Sequence, residues 1–505
     1  MPLATGTLLG AVPVEAGTVE LRTWAPNART VSVRLAGGDH PLSEAADGVW
    51  TGQAPAAAGD DYRFVLDGGD AWPDPFSRWQ PEGVRGPSRV LDPSAFEISR
   101  GPGLALDELV IYELHVGTFS PEGTFDGVVP RLAGLRELGV TAIELMPVAT
   151  FPGNRGWGYD GIYTFAPHSA YGGPAGLARL VDAAHREGLG VVLDVVYNHI
   201  GPGNEALRAF GPYFTDRFGE TPWGEALDYS QTGVREWAIQ NAELWVREYG
   251  IDGLRLDAVP QVSDDSDPHV MVELAERVRA ARPGALVISE VGSPDFRALH
   301  DWKHDAMWMD SLHHALHVAL TGERGGYYAS FDGSMGSIAA ELSRPEGARI
   351  VACAQNHDQI GNRAVGDRLP PARRRLAAAV VLFSPFTPLL FQGEEYGETA
   401  PFQYFTDHID PFIAEATRQG RRREFARFAG FSGELPDPQD EATFERSKLT
   451  PSEPEELYVR LLRLRRELPP ELEVTVDEQA RTLELRRGRA TLRADFANET
   501  VELET

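Results

Sequence analysis

The sequence predicts an α/β fold built on a (β/α)8 barrel, preceded by an N-terminal β-sandwich and followed by a small C-terminal β-domain. Three observations carry this. Apolar runs alternate with amphipathic stretches through the middle of the chain, as in repeated βα units around a parallel sheet. Eight such runs can be counted, the number that closes a barrel. Short alternating runs broken by Gly, Pro, Asn and Asp occupy both ends.

From about residue 17 to 66 the β-type runs include Val19-Glu20-Leu21-Arg22-Thr23-Trp24 and Val31-Ser32-Val33-Arg34-Leu35, which read as a small Ig-like sandwich resembling a carbohydrate-binding module. A Pro-rich stretch over 72–102 reads as a linker or docking segment. The eight barrel strands are expected at 109–114, 142–146, 190–196, 253–257, 285–290, 305–310, 349–355 and 388–392. Helices are expected between them, among others at 176–187, 234–249, 269–281 and 371–382. A doubly wound open sheet would want a Gly-rich phosphate loop after its first strand, and none follows Leu114. A charged helix over 455–468 then leads into alternating runs such as Leu483-Glu484-Leu485. The expected division is 1–95 for the sandwich and linker, 105–430 for the barrel and 450–505 for the C-terminal β-domain. A length of 505 residues agrees, since single cores rarely grow beyond ~250–300 residues.

The formal charge is −28, from 75 acidic against 47 basic residues spread along the chain. Such a surface repels phosphate backbones and anionic lipid but is indifferent to a neutral substrate, so neither nucleic acid nor membrane is expected as a partner. Cys353, the single cysteine, stands in an apolar run and reads as a buried core thiol. The start of the chain has no basic n-region, and no apolar run reaches the ~20 residues of a membrane span. The cytoplasm is the expected compartment.

The chemistry is expected at the C-terminal ends of the strands, where a barrel of this kind carries its active site. In Gly253-Leu254-Arg255-Leu256-Asp257 the period of two puts Arg255 and Asp257 on one face, pointing inward. A buried Arg beside a carboxylate favours its ionised form, which suits a nucleophile. The next strand ends its apolar run on Glu290, where desolvation would raise the pKa toward that of a general acid. On adjacent strands ~4.8 Å apart the two carboxyls can sit ~5–5.5 Å from each other, the spacing of a glycosidase that retains anomeric configuration. Asp194 to His199 and Asn356 to Asn362 each put His and Asp at the same rim. Either could ligate a metal, but two carboxyls with two His at one rim are better explained by hydrogen bonding to a sugar. No acidic loop suggests a calcium site, and no cofactor is expected.

These residues resemble the α-amylase superfamily: the segments at 194–199 and 253–259, Glu290 after its apolar strand, and Asn356-His357-Asp358 are similar to that family's four signature segments, in order. The resemblance implies Asp257 as nucleophile, Glu290 as acid/base, and Asp358 as a clamp on the sugar hydroxyls that tightens in the transition state. It also implies that His199, Arg255 and His357 line the same subsite, with Tyr159 of Gly156-Trp157-Gly158-Tyr159-Asp160-Gly161 as the stacking platform for the ring being cleaved.

Within the superfamily, residues 73–81, 112–119, 308–322 with the His313-His314 pair, 355–363 and 401–408 resemble maltooligosyltrehalose trehalohydrolases. That resemblance adds Asp310, His313, Gln359 and Asn362 to the expected substrate-binding residues. It implies hydrolysis of the α-1,4 bond that joins a maltooligosaccharide to a terminal trehalose, downstream of a maltooligosyltrehalose synthase. Val291-Gly292 and Ser311-Leu312 depart from the pattern, which has Asn-Asp and Asp-Phe there. A glycogen branching or debranching enzyme is the same-class alternative, and a non-catalytic glucan-binding barrel is the alternative of a different class.

Overall fold

The computed structural model describes residues 8–292, 295–425 and 435–505; of Glu220 it describes only the backbone. Residues 1–7, and 426–430 at the end assigned to the barrel, lie outside the described residues. Eight parallel strands close into a barrel: β1 (Ile111–Leu114), β2 (Ala142–Leu145), β3 (Gly190–Val195), β4 (Gly253–Leu256), β5 (Leu286–Glu290), β6 (Ala306–Trp308), β7 (Ile350–Cys353) and β8 (Thr387–Phe391). The ring closes where Ile111 pairs with Leu389 and Glu113 with Phe391.

Strand alternation sorts the side chains. Ile111, Ala142, Val192, Ile288, Ala306, Val351, Cys353 and Leu389 form one apolar cluster, while Tyr112, Leu114, Ile143, Leu254 and Leu256 belong to the other, larger cluster. The two sets occupy alternate positions along the strands, so the smaller fills the interior and the larger packs under the helices. Cys353 is therefore a buried core thiol, as expected.

The helices form where apolar residues recur at 3.6-residue spacing. In the helix Gly173–Arg186, Pro174 opens the first turn and Leu177, Leu180, Val181 and Ala184 face the barrel. Each large aliphatic buried this way contributes ~1.5–3 kcal/mol. The helix Pro371–Phe383 is buried on more than one side because the helix Glu456–Arg465 and the C-terminal strands cover it. Those strands, Glu473–Asp477, Thr482–Arg487, Ala490–Asp495 and Thr500–Glu504, form a four-stranded antiparallel sheet. Arg487 pins the sheet by donating to the carbonyls of Phe383 (3.1 Å) and Ser384 (2.8 Å), which the end of the helix leaves free.

Two antiparallel sheets precede the barrel, one built on Thr18–Trp24 and Val49–Ala54, the other on Val31–Leu35 and Asp61–Leu66. They dock through Trp24, whose ring lies where a Cβ at Gly233 would be, 1.9 Å from the indole Cδ2. Of the two readings of the Pro-rich stretch, linker or docking segment, its first part follows the second. Asp74, Phe76, Ser77 and Gln80 are fully buried, and Asp74 accepts from Tyr62 Oη at 2.7 Å. Successive turns there, closed by Ser77 N–H to the Asp74 carbonyl and Gly83 N–H to the Gln80 carbonyl, pack the chain against the barrel, with Phe76 on Phe165 and Ser169 Oγ donating to the Gln80 carbonyl. No helix among the described residues is long and apolar enough to cross a membrane.

Candidate active site

The inward face of the barrel changes character along its height. Above the apolar layers the inward positions become Glu113, Glu144, Asp194 and Arg255, all buried. The strands then end on Asp257 and Glu290, whose side chains keep only 11% and 18% of their exposure.

Arg255 organises this rim. Its Nη1 donates to Asp257 Oδ1 at 2.7 Å and to both carboxylate oxygens of Asp194 at 2.9 Å. Its Nη2 lies 2.9 Å from Glu290 Oε2. The guanidinium also sits over the Trp308 ring, 4.3 Å from its centroid, which fixes the plane in which it meets three carboxylates. One cation does not hold three buried carboxylates ionised. Burial, with the charges of Asp257 and Asp358 adding to it against Arg255, pushes Glu290 up to about 8. Burial likewise pushes Asp194 up to about 7, Arg255 opposing.

Asp257 and Glu290 are also linked through the backbone. Ala258 adopts φ +40°, a conformation that costs a non-glycine residue energy, and from it the Ala258 amide donates to Glu290 Oε2 at 2.7 Å.

A second chain of bonds crosses the rim from β1 to β3. Glu113 accepts from the His357 amide (3.1 Å) and from His357 Nδ1. His357 Nε2 meets Tyr159 Oη at 2.8 Å, and Tyr159 Oη donates to Asp194 Oδ2 at 2.6 Å. Burial opposes a charge on His357, but Glu113 and Asp358 outweigh it and push the imidazole up to about 10. As imidazolium, His357 donates from Nε2 toward Tyr159 and toward Asp358, whose Oδ2 is 3.5 Å away. Tyr159 stacks on the His357 ring at 5.2 Å and 26°.

Asp358 keeps a third of its side-chain exposure and accepts from Asn362 Nδ2 at 3.0 Å. Asp310 is held by Gln359 Nε2 at 3.0 Å, and burial with the nearby Asp358 charge pushes it up to about 6. His199 has Nδ1 2.9 Å from Asn198 Oδ1 and Nε2 2.9 Å from the Tyr159 carbonyl, both acceptors, and stacks flat on exposed Trp223 at 4.5 Å and 4°.

The alpha-amylase catalytic-domain family matches residues 71–211. Malto-oligosyltrehalose trehalohydrolase from Deinococcus radiodurans is 44% identical over 510 residues, covering 92% of this chain and 84% of that one. The enzyme of the same name from Saccharolobus solfataricus is 39% identical, over 89% of this chain and 85% of that one. The chain belongs to the malto-oligosyltrehalose trehalohydrolase family. The crystal structure of a Salmonella typhimurium protein assigned to the alpha amylases has 39% identity and a TM-score of 0.87, covering 96% of this chain and 92% of that one. A pullulanase from Anoxybacillus, complexed with maltotetraose, shares the fold at 18% identity and TM-score 0.70, over 96% of this chain and 81% of that one.

On this trehalohydrolase-family barrel, Asp257, Glu290, Asp358, Tyr159, Arg255, His357, Asp310, Gln359 and Asn362 gather at one rim, with His199 beside them. His313 stands apart. It is buried in the helix Ser311–Thr321 and spends Nδ1 on the Ala354 carbonyl at 2.7 Å. Its hydrogen bonds, among the described residues, include none to the other candidates.

The residues that sequence reasoning left out of the site are Glu113, Glu144, Trp308 and Trp223, while Asp194 was placed at the rim with His199 but given no role. Glu113 and Glu144 carried a signal, since each is a lone acid inside an apolar strand. The departure at Ser311 has a local counterpart: Ser311 Oγ donates to Glu341 Oε2 at 2.6 Å, where an aspartate would set two carboxylates against each other.

Proposed function

We propose that this chain hydrolyses the α-1,4-glucosidic bond next to the terminal trehalose of a maltooligosyltrehalose, with retention of configuration, through Asp257 and Glu290. The observation that carries the reading is the pair of carboxyls ending adjacent strands on one guanidinium. Arg255 donates directly to Asp257, which suits a carboxylate nucleophile, while burial keeps the proton on Glu290 through neutral pH.

The reaction then has two steps. The Glu290 carboxyl gives its proton to the glycosidic oxygen as Asp257 attacks the anomeric carbon, trehalose leaves, and a glycosyl ester remains on Asp257. Glu290, now a carboxylate, takes a proton from water, whose oxygen attacks the same carbon and frees Asp257. Tyr159 supports the reacting ring, and Asp358 and His357 hold its hydroxyls more tightly as the ring flattens. The names of the curated relatives support trehalose as the leaving group. On this reading the chain works in the cytoplasm, on the product of a maltooligosyltrehalose synthase.

The test is to incubate the protein separately with maltotriosyltrehalose and maltopentaose and resolve the products by chromatography. Trehalose is expected from the first far faster than any cleavage of the second. Equal cleavage of both would leave the barrel chemistry standing and overturn the trehalose preference. Cleavage of α-1,6 branches in amylopectin instead would favour a debranching enzyme.

A further inference from the structure

A cavity of about 330 Å3 lies outside the catalytic rim, between the N-terminal strand Asp61–Leu66 with its neighbour Ala71–Trp72 and the loops after β2, β3 and β8. We propose that it is a distal glucan subsite, holding units of the maltooligosaccharide beyond the ring supported by Tyr159. The proposal rests on the hydrolytic reading above and adds where the far end of the chain is gripped.

Direction comes from the catalytic geometry. A general acid sits beside the oxygen it protonates, so the leaving group lies on the Glu290 side, at β5. The retained chain must then run the other way, past Tyr159 and His199, and the cavity lies there. The loops that carry Tyr159 and His199 also carry residues of the cavity lining. His408, which lines the cavity, has Nε2 3.8 Å from Asp160, the residue after Tyr159, and Gly203 is four residues beyond His199. At Gly201 a Cβ would stand 2.1 Å from the Asp160 carbonyl, so the two loops touch.

The lining suits a neutral polyol. Trp72 is half-buried and offers an aromatic surface for the apolar face of a pyranose. Arg63 and Arg85 share the lining with Glu205 and Asp410, so hydroxyls find donors and acceptors while the two signs of charge balance. The volume is at the lower end of small-ligand sites, ~300–1,000 Å3.

The walls are also fixed before any ligand arrives. Asp407 accepts from the Asn154 amide at 2.8 Å and from Arg155 at 3.0 Å, tying the β8 loop to the β2 loop. Arg63 Nη2 donates to the Arg85 carbonyl at 2.9 Å. A preformed site loses less ordering entropy on binding.

The experiment compares kcat/KM for maltosyltrehalose and maltohexaosyltrehalose in the wild type, Trp72→Ala and Arg85→Ala. Arg85 is exposed, so its variant guards against a folding defect at Trp72. The long-to-short ratio of kcat/KM is expected to fall ~5–10-fold in each variant, the scale of one lost stacking or polar contact. A merely structural change would move both substrates together, and an unchanged ratio in both variants overturns the proposal. If the wild type releases trehalose from neither substrate, the activity reading fails and calorimetric titration with maltoheptaose decides the subsite. Binding weakened at least fivefold by Arg85→Ala supports it, and equal affinity or no binding overturns it.

Discussion

Ala258, held at φ +40°, donates its backbone amide to Glu290 Oε2 at 2.7 Å. The residue that follows the proposed nucleophile thus fixes the proposed acid, and the strained turn at the end of β4 sets the distance between them. A β-branched side chain tolerates that conformation worst. Ala258→Val is expected to lower stability by ~1–3 kcal/mol and to depress kcat, whereas Ala258→Gly keeps both. Thermal unfolding and steady-state kinetics on the two variants check this, and a fully active Ala258→Val enzyme would contradict it.

Activity should fall as the pH rises through about 8, because Glu290 must carry its proton to act as the acid. Stability follows the same sign. The folded value lies above the unfolded one of ~4.3, so the contribution is fully present below that pH and is lost as pH rises through about 8. Glu290→Gln has no such proton to lose. Its melting temperature should therefore drop less than that of the wild type between pH 5 and pH 9, which calorimetry reads directly.

The barrel was legible from the sequence because period-two alternation is local. Leu254, Arg255, Leu256 and Asp257 declare their faces within four residues, and each strand end fell within a few residues of its expected place. The polar layer beneath the rim was less legible. Glu113 meets His357 across 244 positions, so nothing near either residue names its partner. Burial of residues 73–80 was hidden for a similar reason: proline and glycine mark a chain that is neither helix nor strand, without saying whether it is covered. His313 looked like its neighbours on the rim in sequence, but helical geometry turned its ring onto the Ala354 carbonyl.

Glu113 and Asp358 together outweigh burial to keep His357 protonated, and Asp358 is the lesser of the two, so removing the Glu113 charge should remove the His357 proton at neutral pH. In Glu113→Gln, kcat/KM is expected to fall ~10–100-fold, the scale of one charge-assisted hydrogen bond. Nitrogen-15 spectra of the ring would report the neutral tautomer at pH 7. A persistent imidazolium would show that another group supplies the charge stabilisation.

Gly233 lies within a helix, where alanine ordinarily stabilises by up to ~1 kcal/mol. Here the added Cβ would meet the Trp24 indole at 1.9 Å, so Gly233→Ala should instead destabilise by ~1–3 kcal/mol. The melting temperature gives the sign, and an increase would mean that the sheets dock otherwise.

The most direct measurement treats Glu290→Gln with an α-maltosyl fluoride and follows the intact mass, then the peptide map. Fluoride leaves without a proton, so Asp257 can still be glycosylated, while the missing base slows hydrolysis of the ester. The account predicts an adduct one maltosyl unit heavier, mapped to Asp257 and absent in Asp257→Ala. An adduct on Asp358, or none under conditions where the fluoride is consumed, would contradict it.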